Sequence, residues 1–303
     1  MKRPRMTTTL RRAIEAGCVA MPGAFNAATA RLIERAGFGA VYISGAGMAN
    51  ATAGVPDIGL LGLEEVARLA GYIAEAVKIP ALLDADTGFG GPQNVGRTVR
   101  ELEKAGLAGI HIEDQVFPKR CGHVAGTSLI DPGEMSDKIA AAVSARRDRD
   151  FLIIARTDAR AVEGLDAAIE RARLYLEAGA DGIFPEALQT ADEFKRFAAQ
   201  VKAPLLANMT EFGRSPLLTV RQLEAMGYRM VIFPQTAFRV AMHAEEQALR
   251  DLKRRGTQTP WLPRMQPRKK LYELLDYDPE SDAWPVENAG SPRRREGARQ
   301  ETN

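Results

Sequence analysis

Eight short apolar runs, separated by longer stretches of helical periodicity, constrain the fold of this 303-residue chain more than any other feature. They are Val19–Met21, Ala40–Ser44, Pro80–Asp84, Gly109–Glu113, Phe151–Ala155, Gly182–Glu186, Pro204–Asn208 and Met230–Pro234. Runs that are apolar throughout, rather than alternating, fit strands buried on both faces of a parallel sheet. Between them lie amphipathic patterns such as 164–179, whose closing Gly179 is a helix stop. The pair Ala-Gly recurs at 36–37, 105–106 and 178–179, each time just before a run. Eight such units predict an α/β fold, an eight-stranded parallel β/α barrel of the TIM type; an open doubly wound sheet is the alternative. The barrel is preferred because polar residues follow nearly every run: Ser44, Asp84 and Asp86, Glu113, Arg156 and Asp158, Glu186, Asn208 and Thr210, Gln235. A barrel gathers such strand ends at one mouth, whereas an open sheet spreads them along a line. Met21-Pro22-Gly23-Ala24 is a poor match to a glycine-rich phosphate-binding turn. The expected organisation is one barrel domain with a C-terminal helical extension over 1–277. A poorly ordered tail rich in Pro, Gly, Arg and Glu follows over 278–303.

Composition narrows the function. At 45% hydrophobic and 26% charged, the chain can bury a substantial core. A net charge of +2 argues against a dedicated nucleic-acid surface. The basic segment Met1–Thr9 leads into Leu10-Arg11-Arg12 rather than an apolar stretch, so neither a secretory leader nor a membrane span is expected. Cys18 and Cys121 lie far apart; a disulfide stays open, but a reduced, cytoplasmic protein is the reading preferred. Three histidines are too few for a histidine-based metal site unless His111 and His123 share one.

The chemistry centres on two stretches. On a regular strand Asp84 and Asp86 face the same side, with Glu113 ending the next strand. Carboxylates converging at a mouth repel unless a cation lies between them, and hard oxygen ligands suit Mg2+, with Mn2+ possible. The competing reading, that Asp84 caps a turn and Asp86 binds the following glycine-rich backbone, is equally open from spacing. The second stretch is Lys119-Arg120-Cys121-Gly122-His123. Its neighbouring cations lower the thiol pKa, and its polar surroundings argue against a core cysteine. The loop Gln115–Leu129 reads as a lid, with His123 the next candidate acid. Cys18, at the start of the first run, reads as structural. Arg156, Arg239 and Arg268 are candidate carboxylate clamps, Arg156 the best placed, at a strand end. His111 reads equally as a core histidine or a catalytic one.

At these residues the chain resembles the isocitrate lyase/phosphoenolpyruvate mutase superfamily, from about Ala24 to Tyr272. The match is carried by Asp84-Ala85-Asp86-Thr87-Gly88-Phe89-Gly90, Ile112-Glu113-Asp114-Gln115, Lys119–His123, Ala155-Arg156-Thr157-Asp158, Phe184-Pro185-Glu186-Ala187 and Asn208–Gly213. The cysteine loop marks the carbon–carbon lyases of the superfamily, and Phe184-Pro185-Glu186 looks like its methylisocitrate branch. The resemblance implies a barrel whose eighth helix is exchanged between subunits, giving dimers that pair into a homotetramer. It implies magnesium at Asp84 and Asp86 with Glu113 nearby, Cys121 as catalytic acid, and Tyr42 or a metal-linked carboxylate taking the substrate hydroxyl proton. Substrate contacts are implied for Ser44, Gly45, Ala46, Cys121, Gly122, Arg156, Glu186, Asn208, Met209, Thr210, Arg239 and Arg268. The implied reaction cleaves 2-methylisocitrate, a small tricarboxylate, to pyruvate and succinate, a step of the methylcitrate cycle of propionate catabolism. Isocitrate, a dimethylmalate-like acid, and an oxaloacetate-type decarboxylase or phosphonomutase are the alternatives within the superfamily. A barrel used only for binding or assembly is the non-enzyme alternative, against which Asp84, Asp86 and Cys121 argue together. One departure stands out: Ala46 occupies a position where the family often has glycine.

Overall fold

Each apolar run becomes a strand. In the computed structural model, which describes residues 5–120, 122, 126–281 and 283–284, the strands are β1 (Val19–Ala24), β2 (Val41–Ile43), β3 (Ala81–Asp84), β4 (Gly109–Glu113), β5 (Leu152–Thr157), β6 (Gly182–Pro185), β7 (Leu206–Asn208) and β8 (Met230–Phe233). All pair in parallel, in the order β6-β5-β4-β3-β2-β1-β8-β7. A parallel bridge between Ile183 and Leu205 joins the two ends, so the sheet closes on itself. This is the expected barrel.

The helices are α1 (Met6–Ala16), α2 (Ala27–Arg35), α3 (Leu63–Glu75), α4 (Pro92–Lys104), α5 (Pro132–Ala145), α6 (Leu165–Glu177), α7 (Ala191–Gln200), α8 (Val220–Ala225), α9 (Thr236–Arg255) and α10 (Arg268–Leu275). Their starts follow local chemistry. The Asn26 side chain accepts from Thr29 N and that of Thr190 from Glu193 N, while proline opens α4 and α5, where its missing N–H costs nothing. The Ala-Gly rhythm is the stop signal. Gly37, Gly106 and Gly179 follow α2, α4 and α6 with φ of 91°, 86° and 103°, which glycine adopts without a Cβ penalty.

Strand periodicity sorts the core into two layers. Residues pointing out of the barrel, such as Ile43, Leu83, Ile110, Ile112, Ile153 and Ala155, pack under the helices. Those pointing in, Met21, Tyr42, Leu82, Leu152, Ile154, Phe184, Leu206, Met230 and Ile232, fill the interior together with Leu10 and Ile14 of α1. Continued towards the C-terminal ends of the strands, the inward line turns polar: Ser44 after Tyr42, Asp84 after Leu82, Arg156 after Ile154, Glu186 after Phe184, Asn208 after Leu206. The same alternation that builds the core thus delivers functional groups to one mouth.

The chain divides into two compact units, Met1–Gln247 and Ala248–Asn303. In the second, Trp261 Nε1 donates to Asp251 Oδ2 (3.1 Å), Arg264 lies over the Trp261 ring, and Trp284 Nε1 donates to Leu275 O (2.9 Å). No residue of α9 is buried; its Val240 and Leu249 are 66% and 64% exposed. Among the described residues no helix is long and apolar enough to cross a membrane.

Candidate active site

Tyr42 and His111 form the floor of the mouth. Tyr42 Oη lies 2.8 Å from His111 Nε2, the two rings are stacked 6° from parallel, and Phe184 meets His111 edge-on at 5.2 Å. His111 Nε2 is also 3.7 Å from Asp84 Oδ1. Burial lowers the imidazole pKa to about 4 and pushes the Tyr42 phenol well above its ordinary value. At neutral pH the pair is therefore a neutral histidine hydrogen-bonded to a protonated phenol.

Arg156, at the end of β5, is the hub above this floor. Its Nε and Nη2 donate to Asp158 Oδ2 and Oδ1 (2.9 and 3.0 Å); Nη1 is 3.2 Å from Glu113 Oε2, and Nη2 3.5 Å from Glu186 Oε2. The guanidinium also covers the Phe184 ring at 5.1 Å. Burial works against its charge, but Asp158, Glu113 and Glu186 keep it protonated. One cation thus serves three buried acids, and the surplus of negative charge shows in Glu113. Burial holds its pKa well above the ordinary range, and neither of its oxygens accepts a hydrogen bond from a described residue. Asp114, behind the strands, fixes the frame by accepting from Thr157 Oγ1 (2.7 Å), Asp158 N (2.9 Å) and Tyr175 Oη (2.8 Å). Gly122 is pressed into this cluster. A Cβ there would stand 2.2 Å from Asp158 Oδ1 and 2.7 Å from Arg156 Nη2, so only glycine lets the cysteine loop approach.

The loop bearing Cys121 is pinned at its base: Gln115 and Leu129 form an antiparallel bridge, and Gln115 Oε1 accepts from Arg120 N (2.8 Å). Cys121 and His123 themselves lie outside the described residues. Lys119, only 2% exposed, ion-pairs with Asp57 and with Asp86 Oδ1 (2.8 Å). The sequence reading missed Asp57, which follows Pro56 in the segment between β2 and α3; only the surplus of acid around a buried lysine reveals it. Of the competing reading, the Asp84 part holds, since its carboxylate caps a turn, while the Asp86 carboxylate pairs with Lys119. β3 ends at Asp84, so Asp86 does not share a strand face with it; Asp86 N donates to Asp84 Oδ1 (3.1 Å), closing a turn in which both carboxylates stay at the mouth. Burial raises the Asp86 carboxyl to about 6, opposed by Lys119.

Asp84, Asp86 and Glu113 suit a divalent cation in chemistry: all are carboxylate oxygen donors, Asp84 and Glu113 buried and Asp86 half-buried, and neither Glu113 oxygen accepts a hydrogen bond from a described residue. Among the described residues, however, no three His, Cys, Asp or Glu side chains are drawn together tightly enough to enclose a metal by themselves. The donor set fits a magnesium ion that keeps part of its water shell, the usual habit of that ion.

The other expected contacts separate. Asn208 Nδ2 donates to Glu186 Oε2 (3.2 Å) and its Oδ1 faces no described donor. Ser44 Oγ accepts from Gly47 N (3.1 Å) and from Gln235 Nε2 (3.3 Å). Gly45 abuts Asp84, since a Cβ there would lie 3.2 Å from Oδ2, and the half-buried Ala46 follows it. Met209 packs into the core and its sulfur accepts from Leu218 N, while Thr210 next to it is half-buried. The Arg239 side chain, 45% exposed, reaches Glu211 Oε2 (3.5 Å) and lies over the Phe212 ring. Arg268 opens α10 in the second unit.

Comparison with known proteins decides the family. The phosphoenolpyruvate phosphomutase profile matches residues 10–253. The chain belongs to the phosphoenolpyruvate phosphomutase family. It is 55% identical over 259 residues to 2-methylisocitrate lyase of Aeropyrum pernix, covering 86% of this chain and 83% of that one. Among solved structures it is similar to 2,3-dimethylmalate lyase (TM-score 0.85, 36% identity, 89% of this chain and 91% of that one). It is similar also to phosphonopyruvate hydrolase complexed with oxalate and Mg++ (TM-score 0.82, 34% identity, 89% and 95%). These solved structures thus share the fold of this chain, and one of them was solved with oxalate and Mg++.

Proposed function

We propose that this protein is a carbon–carbon lyase that cleaves 2-methylisocitrate to pyruvate and succinate, a step of the methylcitrate cycle of propionate catabolism. The observation that carries the reading is the 55% identity to 2-methylisocitrate lyase across nearly the whole barrel. Asp84, Asp86 and Glu113 are the residues that would hold magnesium, which when bound would acidify the substrate hydroxyl and neutralise the adjacent carboxylate. Tyr42 keeps its proton at neutral pH and serves as a donor, so the hydroxyl proton passes to a carboxylate of that group. As the C2–C3 bond breaks, its electron pair stays on C3 of the succinate half and spreads into the neighbouring carboxylate. Arg156 faces that charge, and Ser44, Gly45, Gly122, Asn208 and Glu186 line the same mouth. Cys121 protonates the carbon and completes succinate. This function calls for a small tricarboxylate as partner, with neither nucleic acid nor membrane, and for a place in the cytoplasm.

The substrate panel that tests this contains 2-methylisocitrate, isocitrate and 2,3-dimethylmalate, the last because the solved lyase for it is 36% identical. Pyruvate release from 2-methylisocitrate is expected to be fastest, to vanish in excess chelator and to return with magnesium. Faster cleavage of isocitrate refutes the substrate, and full turnover in chelator refutes the metal.

The working form is a homotetramer built from dimers that exchange α9. A 20-residue helix with no buried residue and with Val240, Met242, Leu249 and Leu252 exposed needs a covering surface. Light scattering at micromolar concentration is expected to give four times the chain mass; the mass of a monomer contradicts this assembly.

A further inference from the structure

The turn that carries Asp86 runs through the left-handed region at nearly every residue. Asp86, Gly88, Phe89 and Gly90 have φ of 48°, 85°, 59° and 137°. Asp86 and Phe89 bear side chains, and such residues persist there only when their surroundings over-determine them. The backbone fixes the ends of the turn: Gly88 N donates to Ala85 O (2.8 Å) and Glu113 N to Asp86 O (2.9 Å). Two helix side chains fix its middle. Thr98 Oγ1 of α4 donates to Gly88 O (3.1 Å), and Lys138 Nζ of α5 donates to Thr87 O (3.3 Å).

Lys138 is an unusual choice for that task. It is 5% exposed, and among the described residues the acceptor its ammonium reaches is this neutral carbonyl. Glu134, one turn earlier on α5, is the acid that acts on it, and burial still lowers its pKa. A buried cation with no closely paired carboxylate contributes little to folding; an apolar side chain of similar length packs as well or better. Its value must lie in placement. Lys138 also borders a cavity of about 810 Å³ lined by Leu61, Phe89, Phe117 and Ile130, which leaves room for other long side chains at this position.

We propose that Lys138 is a positioning residue: by holding the Thr87 carbonyl it fixes the left-handed turn that presents the Asp86 carboxylate to a divalent cation. This rests on the metal reading of Asp86 given above. The test is titration of the whole protein with Mn2+, followed by the electron paramagnetic resonance of the free ion, for wild type, Lys138→Met, Lys138→Arg and Asp86→Asn. Melting temperatures in chelator are measured in parallel. Removing such an outer support costs metal affinity about 10- to 100-fold. Lys138→Met is therefore expected to weaken Mn2+ binding at least about tenfold with an unchanged or higher melting temperature. Lys138→Arg, which can still donate to the carbonyl, retains most of the affinity. Wild-type affinity in Lys138→Met, or affinity and melting temperature falling in step in both lysine variants, overturns the proposal. Wild-type affinity in Asp86→Asn overturns instead the metal reading on which it stands.

Discussion

Cys121→Ser is expected to lose nearly all cleavage while still binding substrate. A serine hydroxyl is close in size to a thiol but far less acidic, the thiol's ordinary pKa being about 8.5. General acid catalysis contributes about 100- to 10,000-fold, so kcat should fall by at least that order while the dissociation constant for substrate stays near the parent value. Thiol alkylation should inactivate the enzyme, and substrate with magnesium should protect it. Cys18 provides the internal control. It is half-buried, and burial, with Glu224 nearby, raises its pKa to about 11, so it remains a thiol and reacts slowly. It precedes β1, at the end of the barrel opposite the mouth, and its replacement by Ser should leave turnover unchanged. More than a tenth of the parent turnover in Cys121→Ser would move the acid to another residue, His123 first.

Arg156→Met should be damaging to both stability and activity. The side chain serves Glu113, Asp158 and Glu186 at once, and all three are buried to within 1% of their surface. Removing one partner of a buried charge network costs about 3–5 kcal/mol, which for a chain of this size lowers Tm by about 5–8 °C. The sign of the pH dependence follows from the acids. Burial already raises the pKa values of Glu113 and Asp158 above their unfolded values, and loss of the guanidinium raises them further. Such groups favour the folded state below the ordinary carboxylate pKa and lose that contribution as pH rises towards the raised value. The Tm deficit should therefore be larger at pH 8 than at pH 5. Activity should drop about 100- to 1,000-fold or more even where the protein is folded, since the charge that faces the succinate carbanion is gone. A folded Arg156→Met protein with near-parental kcat would remove Arg156 from the chemistry.

The barrel was legible because its strands are buried on both faces: Phe151–Ala155 or Met230–Pro234 leave no ambiguity of period, and the stop at each Ala-Gly pair divides the units. The mouth was legible for the same reason, since inward positions continue past Leu82, Ile154 and Phe184 into Asp84, Arg156 and Glu186. What escaped the reading are contacts that depend on turns and on distant segments. The separation of Asp84 and Asp86 suggested a shared strand face, but the strand stops at Asp84 and a left-handed residue at Asp86 re-aims the second carboxylate. Asp57 gave no local signal, because its partner Lys119 is 62 residues away. The same holds for Lys138, whose partner, the Thr87 carbonyl, is 51 residues away. Burial of a charged residue is the physical signal in each case, and burial is set by the tertiary fold.

The central claim is that the mouth breaks a carbon–carbon bond and protonates the carbanion left behind. The most direct measurement is turnover of 2-methylisocitrate with magnesium in D2O, with both products analysed by mass spectrometry. A thiol exchanges its proton with solvent before each cycle, so the account predicts pyruvate and succinate in equal amounts, with a single deuterium on the succinate carbon backbone. Absence of products, or succinate released without deuterium, would contradict it.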